Sequence, residues 1–245
     1  ANIGQLTISA DGSRIEGALV SNYTGKDAET EAFIEDIKAK FESLLKEVVA
    51  KTDVDLITVD PESGERIIRN AETNLADLCT DAYKAVSGAE IAFVNGGGIR
   101  ADIPAGDITY EQIIAVHPYG NKLTVVEATG QQILDCLEYG AYKWPSEFGG
   151  WQEVAGLTFE FHTYLESTVE RDENGMFAGV TGEYRVKNVL VNGEPLDLEK
   201  TYTVASHNYM LKDGGDGMNM FQGDTILQDE VMLDNQVLIN YIAEG

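Results

Sequence analysis

Positive charge is what this sequence has least of. Its 245 residues carry 17 Lys and Arg against 42 Asp and Glu, a formal net charge of −25. Binding to phosphate backbones or anionic lipid needs clustered cations, so neither a nucleic acid polymer nor a membrane surface is expected as a partner. A small anionic ligand is still compatible, because two or three Arg in a cleft can outweigh the far field locally. Cysteine is almost absent as well. Cys79 and Cys136 are too few for a disulfide framework, and each stands in a helical apolar pattern that predicts a buried free thiol. No window approaches 18 consecutive apolar residues, so no membrane insertion is expected, and no basic-then-apolar leader opens the chain. His117, His162 and His207 stand in no ligand spacing such as HxxxH or DxH, and neither a GxSxG elbow nor a Walker loop occurs. Beginning at Ala1 without Met, the chain reads as a processed protein or a fragment.

What is there is an ordinary globular composition, 43% hydrophobic and 24% charged, with no internal repeat and no low-complexity tract. Leu6 to Ile8 and Ile15 to Val20 read as two strands around the turn Asp11-Gly12. After a polar run from Ser21 to Thr30, apolar residues recur at three- and four-residue steps from Phe33 to Val49, predicting one amphipathic helix of about five turns. Asn74 is the expected cap of a helix bearing Leu75, Leu78, Cys79, Ala82 and Val86. Glu90 to Val94 is a buried-strand run. Thr109 with Gln112, and Thr129 with Gln132, are capping boxes that open two further helices, with a strand from Lys122 to Ala128 between them. Beyond Pro145, strands are expected at Val154 to His162, Arg185 to Val191 and Tyr202 to Ser206, the hairpin turn at Asn192-Gly193, and a last helix around Val237 to Ile242. This order predicts an α/β fold of mixed α+β character: a mixed sheet with flanking helices in a single domain.

Two glycine-rich segments follow strands directly, Asn95-Gly96-Gly97-Gly98-Ile99-Arg100 and Asp213-Gly214-Gly215-Asp216-Gly217. Glycine at a strand end lets backbone and ligand approach closely, and an Arg beside it is a candidate anion clamp. Taken alone, each segment also reads as a plain turn, and Arg100 as the partner of one of 42 carboxylates.

Four segments in order carry a resemblance: Arg69-Asn70-Ala71-Glu72-Thr73-Asn74-Leu75-Ala76-Asp77-Leu78, then Asn95 to Arg100, then Pro118-Tyr119-Gly120, then Gly214-Gly215-Asp216-Gly217. Together, and with Trp151 to Leu157 as a strand entry, they resemble the C-terminal domain of the 5′-nucleotidase family over most of residues 52–225. The resemblance implies a nucleoside or nucleotide ligand of adenosine or AMP type, its base held between two aromatic rings. Tyr119 matches the first ring, Asn95 the residue at the base edge, Arg100 a residue near phosphate or ribose, and Asp216 the acceptor for the ribose hydroxyls. Gly97, Gly98 and Gly215 belong to the same loops. The second ring position falls on Met210, with Tyr209 taking its place if the loop is shifted by one residue. A second family arginine appears as Ala71, with Arg69 two residues upstream.

The family's DxH and GNH[DE] motifs, which bind two metals in an upstream metallophosphoesterase domain, do not occur here. No catalytic residue and no metal or other cofactor is therefore expected in this chain, the two divalent metal ions belonging to the upstream domain, and the chain alone is expected to hydrolyse nothing. The expected organisation is 1–26 as last strands of that upstream domain, 27–50 as a linker helix and 51–245 as the substrate-binding domain. The implied parent is a secreted, cell wall-attached or periplasmic nucleotide phosphohydrolase. Two other readings stay open: a 2′,3′-cyclic-nucleotide 2′-phosphodiesterase with 3′-nucleotidase activity, or a non-catalytic surface module that binds nucleosides.

Overall fold

The computed structural model describes residues 2–21 and 24–243. The outermost residues of the expected 1–26 and 51–245 segments, and Asn22 and Tyr23 of the polar run, lie outside the described residues. Two compact units result, 1–45 and 46–245.

In the first unit, β1 (Ile3–Ile8) and β2 (Ile15–Val20) pair antiparallel in register, Ile3 opposite Val20 and Ile8 opposite Ile15. Their turn closes on Asp11, whose carboxylate accepts hydrogen bonds from Ser9 and Ser13. Helix α1 (Ala28–Leu45) starts where the Asp27 carboxylate accepts the Thr30 amide at 2.8 Å. Its apolar stripe, Phe33, Ile34, Ile37, Phe41 and Leu44, is exposed.

The expected helix ends early. Val48 and Val49 belong to β3 (Val48–Thr52), paired antiparallel with β5 (Gly106–Thr109). β-branched residues favour an extended chain, and here a partner strand is available.

The rest of the second unit runs α2 (Asn74–Ser87), β4 (Ile91–Asn95), α3 (Tyr110–Val116), β6 (Leu123–Thr129), α4 (Gly130–Gly140), β7 (Gln152–Ala155), β8 (Leu157–Phe161), β9 (Val169–Arg171), β10 (Phe177–Val180), β11 (Val186–Val191), β12 (Glu194–Pro195), β13 (Thr201–His207), α5 (Asn208–Leu211), β14 (Ile226–Gln228) and α6 (Asp234–Ala243). The main sheet has the order β14-β6-β13-β4-β7. Only β13 and β4 run parallel in it; the other neighbours are antiparallel, which makes the sheet mixed as expected. Period-two alternation divides each strand between two cores. Ala92, Val94, Leu123, Val125 and Ala205 face α2, α3 and α6. Ile91, Phe93, Val126, Ala128 and Val204 face α4, α5 and the β8–β11 region. Cys79 and Cys136 are both free and buried, one in each core.

Local signals place most elements within a residue or two. Both capping boxes form, at Thr109 with Gln112 and Thr129 with Gln132. At α2 the cap is Thr73 rather than Asn74: the Thr73 hydroxyl accepts the Ala76 amide, while the Asn74 side chain bridges the Ile57 amide and the Asp55 carbonyl. The single strand expected from Val154 to His162 is divided at Gly156 (φ 83°), where the chain leaves the main sheet and enters the sheet β12-β11-β8.

Candidate functional site

The two parallel strands end side by side, and their carboxyl ends are where an α/β sheet leaves a crevice. β4 ends in Asn95 and runs into Gly96–Gly98; β13 ends in His207 and runs through α5 into Gly214–Gly217. One hydrogen-bonded pair then aligns two loops: the Asn208 amide donates to the Lys122 carbonyl at 2.9 Å, and the Lys122 amide to the Asn208 side-chain oxygen at 2.8 Å. This ties the Tyr119 loop to the helix that carries Tyr209. A third loop closes the side, with Phe148 donating to the Arg69 carbonyl at 3.0 Å and Gly97 donating to the Gly149 carbonyl at 2.8 Å.

The cleft so formed has a volume of about 590 Å³, within the range of small-molecule sites, about 300–1,000 Å³. Arg69, Asn95, Gly97, Gly98, Tyr119 and Asp216 all line it, so six of the nine residues expected from sequence meet in one place. Tyr119 is 60% exposed, a large aromatic surface open to a ligand.

Three residues stand elsewhere. Met210 is 1% exposed and packs in the core with Leu211 and Phe221; the cleft position belongs to its neighbour Tyr209. The one-residue difference is the geometry of α5, a single turn on which adjacent residues point to different sides. Gly215 supports the cleft from behind: a Cβ there would stand 2.3 Å from the Tyr209 ring. Arg100 is outside the lining residues. Its Nη1 donates to the Gly97 carbonyl at 3.3 Å, and its guanidinium lies 6.0 Å from the Tyr119 ring centroid.

Asp216 takes the left-handed backbone conformation, φ 54°, which Asp tolerates better than most residues. Its amide donates to the Tyr209 hydroxyl at 3.0 Å, and the Tyr139 hydroxyl donates to its carbonyl at 3.1 Å. One carboxylate oxygen accepts from Asn95 Nδ2 at 2.8 Å, which leaves Oδ1 with open acceptor capacity at the cleft. Asn95, expected at a base edge, is 3% exposed and has both ends of its amide engaged: Nδ2 also donates to the Gly149 carbonyl at 3.0 Å, and Oδ1 faces His207 Nε2 at 3.1 Å. In this arrangement Asn95 orients Asp216.

The cationic side is built around Arg69. Its Nε is buried without a hydrogen-bond partner. Burial, then the nearby Arg66 and Arg100 guanidiniums, push its pKa down, while Glu147 and Asp216 oppose them. An Arg stays protonated regardless, so Arg69 is a fixed positive charge at the cleft. Arg66 is already occupied by Glu147, its Nε donating to the carboxylate at 3.0 Å. Lys143 also lines the cleft. The arrangement therefore offers aromatic faces, one fixed carboxylate and the positive charges of Arg69 and Lys143. Those groups can hold a ring, neighbouring hydroxyls and an anion together.

Asn121, Lys143, Phe148 and Gly149 line the cleft without having been singled out from the sequence. The signal for two of them was present: Phe148-Gly149-Gly150 is a third glycine-rich segment just ahead of a strand. Among the described residues, no group of three His, Cys, Asp or Glu side chains converges where a metal ion could be held. The described residues therefore do not fit a two-metal centre, and no step through one is assigned to them.

Known proteins resemble this chain over most of its length. Trifunctional nucleotide phosphoesterase protein YfkN of Bacillus subtilis is 31% identical over 97% of this chain, which spans 15% of that protein. A 5′-nucleotidase of Vibrio parahaemolyticus is 28% identical over 96% of the chain, which spans 37% of it. A cell wall protein of Listeria monocytogenes is 29% identical over 89% of the chain and 27% of its own length. The crystal structure of a 5′-nucleotidase precursor from Thermus thermophilus superimposes with a TM-score of 0.72 at 29% identity, covering 98% of this chain and 46% of that one. The chain thus spans less than half the length of each of these relatives. Residues 48–223 match the sequence model described as 5′-nucleotidase, C-terminal domain, and the chain belongs to that family.

Proposed function

We propose that the cleft binds a nucleoside or nucleoside monophosphate, and that the chain is the substrate-specificity part of a nucleotide phosphohydrolase. Tyr119 and Tyr209 take the base, Asp216 accepts from the ribose hydroxyls, and Arg69, with Arg100 near it, faces the phosphate. The observation that carries this reading is the meeting of two tyrosine residues, the Asp216 carboxylate and Arg69 in one cleft. Stacking on an aromatic face contributes about 1–3 kcal/mol per base in single-strand binders, enough to make such a site selective for heteroaromatic ligands.

Hydrolysis belongs in this reading to an upstream metallophosphoesterase domain with two divalent metal ions. The exposed apolar stripe of α1 and the exposed Ile3, Leu6, Ile15 and Leu19 of the hairpin are the surface such a domain would cover. The name of the Listeria relative supports a place in the cell envelope, extracellular, wall-attached or periplasmic. Calorimetric titration of the chain with adenosine and with AMP tests the binding reading. Saturable binding of both is expected, with no phosphate released from AMP in added divalent metal. Absence of binding at millimolar ligand by a folded chain contradicts the first part, and phosphate release contradicts the second.

A further inference from the structure

Behind the cleft lies a buried histidine that the reading above leaves unused. His207 is 1% exposed, at the end of β13, and its Nε2 stands 3.1 Å from Asn95 Oδ1. The orientation of the Asn95 amide is fixed independently, because its other end faces two acceptors, the Gly149 carbonyl at 3.0 Å and Asp216 Oδ2 at 2.8 Å. Nδ2 must therefore be the donor there, and Oδ1 must be the atom facing the imidazole. An amide oxygen only accepts, so the ring proton sits on His207 Nε2.

The cost of that tautomer is visible. His207 Nδ1, the ring nitrogen left bare by that tautomer, is buried with no hydrogen-bond partner. Burial, together with the neighbouring His117, pushes the His207 pKa down to about 3, so the ring is neutral and carries a single hydrogen. Gly98 keeps the space open: a Cβ there would stand 2.8 Å from Asn95 Oδ1 and 3.6 Å from His207 Nε2.

We propose that His207 is a positioning residue for ribose recognition: its Nε2–H holds the Asn95 amide so that Nδ2 anchors one oxygen of Asp216 and turns the other toward the ligand's hydroxyls. This rests on the nucleoside reading of the cleft and adds a residue that touches no ligand.

The consequence is specific to hydroxyls. A loosened Asp216 weakens a ligand with 2′ and 3′ hydroxyls and leaves one without them unaffected. The test measures adenosine and 2′,3′-dideoxyadenosine affinities for the unaltered chain, Asp216→Ala, His207→Met and His207→Gln. Gln can place an amide N–H where Nε2 stood, and Met cannot. The expected result is about a ten-fold loss of adenosine affinity in His207→Met, a change under about two-fold for the dideoxynucleoside, and recovery of most of the loss in His207→Gln. Equal losses for both ligands in His207→Met, or no recovery in His207→Gln, overturn the proposal while the nucleoside reading stands. An unchanged adenosine-to-dideoxyadenosine ratio in Asp216→Ala takes Asp216 out of ribose recognition and overturns the proposal, and no binding by the unaltered chain overturns the nucleoside reading and the proposal with it. Should the substitutions at His207 unfold the chain, nitrogen NMR of the unaltered imidazole decides: a protonated Nε2 with a bare Nδ1 is required, and the opposite tautomer refutes it.

Discussion

At the scale of single residues, the cleft combines a ring braced by backbone, Tyr209, with a row of side chains that hold one another, His207, Asn95 and Asp216. Tyr119 is mostly exposed and Tyr209 is braced by the Asp216 amide, so the two rings differ in how far they are preset. Tyr119→Ala should therefore cost adenosine affinity about 1–3 kcal/mol with little effect on stability. Parallel titration and urea unfolding check it, and a loss of stability without a loss of binding would assign the ring to packing. The residues legible in the sequence were those fixed by a glycine loop or a short motif: Gly97, Gly98, Tyr119, Asp216. Tyr209 against Met210 was not decided there, because a one-turn helix has too few residues for periodicity to set its phase. Nor was the engagement of Asn95 legible, since Gly149, Asp216 and His207 reach it from segments 54 to 121 residues away.

Elements show the same division between local and distant causes. The two capping boxes and the Asn192-Gly193 hairpin turn depend on neighbours three residues apart or fewer, and all three form where expected. The end of α1 was misplaced because β3 exists only through pairing with β5, about 60 residues later in the chain. Distant pairing also explains two charges that no local pattern announces. Glu138 of α4 is fully buried and accepts the Arg185 and Val186 amides at 2.7 and 2.9 Å, with Arg185 Nε at 3.3 Å from its other oxygen. It thereby fastens α4 to β11. Glu138→Ala leaves a buried guanidinium without its partner and should destabilise the unit by about 3–5 kcal/mol in urea unfolding. A loss under 1 kcal/mol would show that solvent reaches the site.

Glu153 of β7 is 2% exposed, and one of its oxygens has no hydrogen-bond partner. Burial, then the carboxylates of Asp77 and Glu72, push its pKa up to about 9. A carboxyl whose folded pKa lies above its unfolded value binds its proton more tightly when folded. Its stabilising contribution is complete below about pH 4 and is lost as pH rises toward 9, at up to about 1.4 kcal/mol per pH unit. Asp77, pushed to about 6 by burial and the carboxylates of Glu72 and Asp81, adds to the decline below pH 6. Urea midpoints of the unaltered chain should therefore fall between pH 6 and 8.5, and Glu153→Gln should flatten that fall. Parallel curves for the two proteins would mean that Glu153 is ionised in the folded state.

For the whole molecule, the scarcity of positive charge acquires a location. Against a net charge of −25, Arg66, Arg69, Arg100 and Lys143 are gathered at or beside the cleft. A phosphate is repelled at long range and retained only by what lies within a Debye length, about 8 Å at physiological salt. Arg69→Ala should then lower AMP affinity about ten-fold or more and change adenosine affinity less than about two-fold. Equal effects on both ligands would place Arg69 in the nucleoside site instead. The hydrophobic pattern, by contrast, distributes evenly: two cores share one mixed sheet, and both close behind the loops that form the cleft.

The most direct measurement is amide chemical-shift mapping of the full chain as adenosine is added. The account predicts saturable shifts confined to Gly97, Gly98, Tyr119, Asn121, Gly149, Tyr209, Gly215 and Asp216, the backbone around the cleft. Shifts centred elsewhere, or none at millimolar adenosine, would contradict it.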